Sequence, residues 1–134
     1  MKIDIGRDVL DAIVRHARAE APNECCGLLV GPDGLIDESV PTRNIVASAT
    51  RYEVDPREHI ALIRQLRGTG RQIVGTYHSH PASPPVPSST DVAHAFYPHF
   101  VYLIVSLAAG TNGSIRGYRI RSGNVEPAEL VPVP

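Results

Sequence analysis

Gln72-Ile73-Val74-Gly75-Thr76-Tyr77-His78-Ser79-His80, then the seven residues Pro81-Ala82-Ser83-Pro84-Pro85-Val86-Pro87, then Ser88-Ser89-Thr90-Asp91: the rest of the chain is organised around this stretch. Its apolar opening predicts a buried strand. Side chains alternate faces along a strand, so His78 and His80 project together and Ser79 points the other way. Two imidazoles converging at the end of a rigid strand are half of a zinc site, and Asp91, beyond the proline-rich loop, is the candidate third ligand. His, His and Asp leave a tetrahedral zinc one open position for water, which is the catalytic arrangement rather than the closed structural one. The plainer readings are a polar strand edge for the two histidines and a capping box for Ser88 and Asp91, with Ser88 as N-cap and Asp91 at N3 of a short helix. The cap and the ligand are compatible, because a helix start is a rigid mount.

Upstream of this stretch, Lys2-Ile3-Asp4-Ile5 predicts a short strand. Val9, Leu10, Ile13, Val14 and Ala17 then recur at helical spacing from about Arg7 to Ala21, where Pro22 stops the helix. Cys26 to Gly31 reads as a central strand. Pro32-Asp33-Gly34 is a turn signal, and Leu35 to Val40 is expected to return as the second arm of a hairpin. Asn44 to Ala49 reads as a connection and Arg51-Tyr52-Glu53-Val54 as a short strand. Asp55-Pro56 starts a helix running to about Arg67, with Ile60, Ile63 and Leu66 expected on its inner face and His59 exposed.

Downstream, four prolines between Pro81 and Pro87 stiffen the bridge to Asp91. A short helix follows Ser88, and Tyr97-Pro98 breaks it. Phe100 to Leu107 is the most apolar strand. Ile115 to Arg121 alternates as a strand with one wet face, and Val125 to Val131 reads as a final edge strand. His16 is expected at a boundary, His94 near Asp91 but not on the metal, and His99 in a structural role.

Composition narrows the function classes. The 134 residues suit one domain, 1–134, with a real core. Lys plus Arg is 13 and Asp plus Glu 14, so no basic surface for nucleic acid is expected. No apolar run has the length of a membrane span, and Met1-Lys2-Ile3-Asp4-Ile5 has no signal-like region, so the expected location is the cytoplasm. The two cysteines, Cys25 and Cys26, are adjacent; they give neither a disulfide framework nor a Cys-x-x-Cys zinc spacing.

The whole pattern, His78-Ser79-His80-Pro81, then Ser88, then Asp91, resembles the signature of the JAMM (MPN-plus) zinc metalloproteases. Pro22-Asn23-Glu24-Cys25-Cys26-Gly27 matches the upstream Pro-x-Glu-x-x-Gly setting of that family, and the resemblance covers essentially the whole chain. It implies an α/β fold of cytidine-deaminase-like shape, a curved mixed β-sheet flanked by helices. The deaminase motifs His-x-Glu and Pro-Cys-x-x-Cys are absent, which argues against deamination. It implies one zinc per chain on His78, His80 and Asp91, with Glu24 as general base for the attacking water and Ser88 as donor to the oxyanion. Bacterial and archaeal stand-alone members of similar size suggest the substrate: a ubiquitin-like sulfur-carrier protein with a β-grasp fold and a Gly-Gly tail, from which a residue such as cysteine is released. Two alternatives remain open. One is a non-catalytic MPN-type scaffold or ubiquitin-like-binding module, against which the complete motif argues. The other is a general, cell-wall or phage-tail hydrolase.

Overall fold

A computed structural model describes residues 1–134. In chain order the elements are β1 (Lys2–Gly6), α1 (Arg7–Glu20), β2 (Cys26–Gly31), β3 (Leu35–Ile36), β4 (Glu38–Thr42), α2 (Pro56–Leu66), β5 (Gln72–His80), α3 (Ser89–Ala93), β6 (Val101–Ser106), β7 (Ile115–Arg121) and β8 (Asn124–Val133). The strands form one sheet in the order β3-β1-β8-β7-β6-β5-β2-β4. Its outermost strands β3 and β4 are separated in sequence only by Asp37, so the sheet curves nearly into a barrel. No helix is long and apolar enough to cross a membrane.

One sheet face carries the main core. Val9, Ile13 and Ala17 of α1 pack there against Ile3, Ile5, Leu29, Tyr77, Val101, Leu103 and Val105. The opposite face carries two smaller clusters. Leu28, Val30 and Leu62 form one; Tyr102, Ile104, Tyr118 and Ile120 form the other. All six residues of β6 are buried because both of its faces are covered.

β5 and β6 run parallel, with His78 opposite Ile104 and His80 opposite Ser106. Two parallel neighbours cannot be joined by a tight turn and need a crossover of about a dozen residues or more. Here the crossover holds the proline loop and α3, and its α3 residue Val92 packs on the cluster that contains Ile104, the face of His78.

Four expectations are corrected. The return arm after Pro32-Asp33-Gly34 is split: β4 pairs antiparallel with β2, whereas Leu35 and Ile36 pair parallel with β1 at the other edge. Arg51 to Val54 makes no strand. Only Val54 bridges, to Asn44, because the side chain of Asn44 satisfies the backbone of this segment instead. The inner face of α2 carries Leu62 together with Leu66, as expected of Leu66, while Ile60 and Ile63 are 50% and 46% exposed; apolar residues occur on more than one side of this helix, so periodicity does not choose the face.

The fourth correction concerns β8, which is not an edge strand. Residues 124–128 pair only with β7 and residues 129–133 only with β1. Each half therefore has one unpaired side, which accommodates Pro127 and Pro132, neither of which can donate a ladder hydrogen bond.

The packing of α2 gives a direct test. Leu62→Ala is expected to lower stability by about 2–5 kcal/mol, and Ile63→Ala by no more than about 0.5 kcal/mol. Urea melts of the two variants check this; equal losses would mean that α2 is rolled differently on the sheet.

Candidate metal centre

Alternation along β5 sends Tyr77 and Ser79 into the main core and Thr76, His78 and His80 to the opposite face. All five are buried. Ser88 caps α3: its hydroxyl accepts the Asp91 backbone N–H at 3.0 Å, and its own N–H donates to Asp91 Oδ2 at 2.9 Å. The capping box is thus present, and it fixes the same carboxylate oxygen that meets the histidines. His80 Nε2 lies 3.0 Å and His78 Nε2 3.1 Å from Asp91 Oδ2, and the two Nε2 atoms are 3.2 Å apart.

These three atoms form a triangle with sides of 3.0–3.2 Å. Zinc bonds of about 2.0–2.1 Å set about 3.3 Å between neighbouring ligand atoms in a tetrahedron. The donor set therefore fits a zinc ion in both chemistry and spacing. Ionisation agrees with this at His78 and Asp91, whereas His80 is drawn toward its charged form. Burial lowers the His78 imidazole toward its neutral form, and the bond from Asp91 offsets this only in part. Burial opposes ionisation of Asp91, but the hydrogen bonds from His78 and His80 outweigh it and hold the carboxyl well below the usual range. Burial also lowers His80, while its bonds to Asp91 and the Pro84 carbonyl raise it overall.

Each of the three side chains is held by its surroundings. His80 Nδ1 pairs with the Pro84 carbonyl at 2.9 Å, which leaves Nε2 free to face Asp91. The proline loop is strapped to the sheet: Tyr118 donates its hydroxyl to Pro85 O at 2.6 Å, and Ser106 to Ser83 O at 2.8 Å. Tyr52 stacks on the His78 ring at 4.2 Å, with an interplanar angle of 17°. The sequence offers no signal for Tyr52 or Tyr118, since neither lies in a recognisable motif and both meet the site only through the tertiary fold.

Glu24 sits between α1 and β2, is 4% exposed, and has no partner for Oε1. Burial pushes its carboxyl up to about 8; His80 draws it down in part and Asp91 adds to the rise. Ser79 holds the segment next to it, accepting the Cys25 N–H at 2.7 Å. Cys25 and Cys26 are both free and buried, and burial pushes them up to about 12 and about 11. They are thiols at neutral pH, and Cys26 contacts Thr42 and the Arg43 carbonyl rather than an imidazole.

The other histidines lie outside the cluster. His16 pairs through Nδ1 with the Tyr77 hydroxyl at 2.8 Å, the boundary role expected of it. The Tyr77 ring crosses β2 at Gly27, where a Cβ would stand 2.3 Å from a ring carbon. His94 is exposed and folds back on the Thr90 carbonyl. His59 is half-buried rather than exposed and meets Tyr97 edge-on. His59 also lines a cavity of about 430 Å³ shared by Tyr52, Thr76, Thr90, Phe96 and Tyr102. Thr76 shares a strand face with His78, and Thr90 precedes Asp91 in the chain, but none of Glu24, His78, His80, Ser88 and Asp91 lines this cavity.

The fold and site define a JAB/MPN-type α/β protein with a metalloprotease-like ligand set. A family model described as prokaryotic homologs of the JAB domain matches residues 6–121. The chain belongs to that family, as the JAMM resemblance implied. It is 38% identical over 112 residues to a desampylase of Haloferax volcanii, covering 78% of this chain and 81% of that one. It is 37% identical over 131 residues to the CysO-cysteine peptidase of Mycobacterium tuberculosis, covering 95% and 90%. A solution structure of a protein from Desulfitobacterium hafniense superposes with a TM-score of 0.88 at 33% identity, covering 99% of this chain and 93% of that one.

Protein purified without chelator is expected to carry one zinc per chain by elemental analysis. His78→Ala and Asp91→Ala should each lose it while circular dichroism stays that of the parent. Full zinc occupancy in both variants would remove these residues from the site.

Proposed function

We propose that this chain is a zinc metallopeptidase that hydrolyses the amide bond after the C-terminal Gly-Gly of a ubiquitin-like sulfur-carrier protein, releasing a residue such as cysteine. One observation carries the reading: an unpartnered, buried Glu24 carboxylate beside the converging His78, His80 and Asp91 donor atoms. The names of the two curated relatives, a desampylase and a CysO-cysteine peptidase, support the substrate class.

His78, His80 and Asp91 would hold the zinc. Bound there, the metal supplies Lewis acidity to the scissile carbonyl and lowers the pKa of its water from 15.7 toward about 7. Glu24 takes the proton of the attacking water and passes it to the leaving amine. Burial raises the proton affinity of Glu24, which favours its holding the proton between the two steps. Ser88 accepts the Asp91 N–H with its hydroxyl oxygen, and its own proton then donates to the developing oxyanion. Asp91 is oriented by the Ser88 N–H, which donates to the oxygen that faces the two imidazoles.

A carrier ending in Gly-Gly-Cys is the test substrate. Release of free cysteine is expected from the parent. Glu24→Gln should reduce kcat by about 10²–10⁴-fold with zinc retained. Ser88→Ala should reduce it by about 10²–10³-fold. A carrier whose tail ends in Ala-Ala-Cys should be cut far more slowly, and equal rates on the two tails would refute the Gly-Gly specificity. No hydrolysis by the zinc-loaded parent would favour the non-catalytic scaffold.

A further inference from the structure

Asn44 lies after β4, far in sequence from every residue named in the reaction. It is half-buried, and its side-chain amide is fully used. Nδ2 donates to the Glu24 carbonyl and to the Arg51 carbonyl, each at 3.0 Å. Oδ1 accepts the Val46 N–H at 3.2 Å and the Glu53 N–H at 3.0 Å. An amide side chain offers two donors and two acceptor lone pairs, and here each has a partner. The four partners fall into two groups. One is the backbone of Glu24 itself. The other is the loop on both sides of Tyr52, the residue whose ring stacks on His78.

The same loop returns to Glu24 a second time, because Ser48 O accepts the Glu24 N–H at 2.8 Å. Glu24 therefore has its carbonyl held by Asn44 and its N–H by a loop that Asn44 organises. The loop has no strand pairing of its own beyond the single Asn44–Val54 bridge. It is the amide of Asn44 that replaces the missing ladder. We propose that Asn44 is a positioning residue that sets two parts of the reacting centre from one side chain: the Glu24 carboxylate through its backbone, and the His78 ring through Tyr52.

This inference rests on the proposed roles of Glu24 and His78. Asn44→Asp keeps the shape and both acceptor positions. It removes both N–H donors and turns a charged oxygen toward the carbonyls of Glu24 and Arg51. Outer groups that orient ligands and bases typically contribute about 10–100-fold to affinity or activity. With the Gly-Gly-Cys carrier, Asn44→Asp is accordingly expected to lower kcat about 10–100-fold with KM little changed, and to weaken zinc about tenfold in competition with a chromophoric chelator. Thr50→Ala, in the same loop but with its side chain bonded only to Ser48, should leave all three quantities unchanged.

Glu24→Gln separates the two possible failures. If it turns over as the parent does, the functional reading itself falls. If it is inactive while Asn44→Asp keeps parental kcat and zinc affinity, only the inference falls. Thermal melts accompany each variant, and Asn44→Ser, which retains a donor and an acceptor, takes the place of Asn44→Asp should that chain not fold. Failure of both to fold, or loss of kcat only in proportion to the unfolded fraction, would make Asn44 a purely structural residue and overturn the proposal.

Discussion

The parallel pairing of β5 with β6 is the constraint from which the site follows. Antiparallel partners could have been joined by a two-residue turn, and nothing would then lie above His78 and His80. Parallel partners need a crossover, and its residues have to cover one sheet face or the other. Tyr77 and Ser79 turn toward the face already occupied by α1, so the crossover takes the face with the histidines. The chain then has to fix the crossover with little secondary structure. It does so with prolines, with the Tyr118 and Ser106 hydroxyls on loop carbonyls, and with a five-residue helix whose cap also orients Asp91. The capping box and the candidate metal centre are one arrangement: the Ser88 N–H and the two imidazoles approach the same Asp91 oxygen.

The buried polar atoms without protein partners gather at this place, and Glu24 Oε1 is one. His78 Nδ1 is a second buried polar atom without a protein partner. Both are next to the ligand cluster, while the main core behind β5 is closed by aliphatic side chains and Tyr77. The molecule thus keeps these polar groups on one face of the sheet and its largest apolar cluster on the other. Ser79 is where the two meet. It points into the core from between the two histidines and holds the backbone beside Glu24.

Much of this was legible in the sequence, because it depends on short-range rules. The alternation of His78, Ser79 and His80 needs only the two-residue period of a strand. The Ser88–Asp91 cap needs only the spacing of a first helical turn, and Asp55 with Pro56 marks the start of α2 in the same way. What was not legible depends on partners distant in sequence. Leu35 and Ile36 look like the continuation of a hairpin until β1 is present to pair with them. Val125 to Val131 looks like an edge because it comes last in the chain and Pro132 and Pro134 follow it, yet one half of β8 pairs with β7 and the other with β1. The residues Ile60 to Ile63 are apolar on several helix faces, so burial of Leu62 in place of the isoleucines is decided by how α2 lies against β2 and β5.

The loop from Asn44 to Val54 shows why the residues around a reacting centre are harder to read than the centre itself. Ligands must be His, Asp or another donor, and their spacing is restricted by the element that carries them. A residue that positions them is restricted only by what it touches. Tyr52 needs a flat ring at one point in space, and the sequence that delivers it there has no repeat, no cap and no turn pair. Tyr and Val in that segment even favour a strand. The amide of Asn44 prevails over this preference, because satisfying four backbone groups at once outweighs a propensity of about 1 kcal/mol at most. The local rules therefore fail in this loop, where one side chain has taken over the work of a strand partner and ties the backbone of Glu24 to the segment that carries Tyr52.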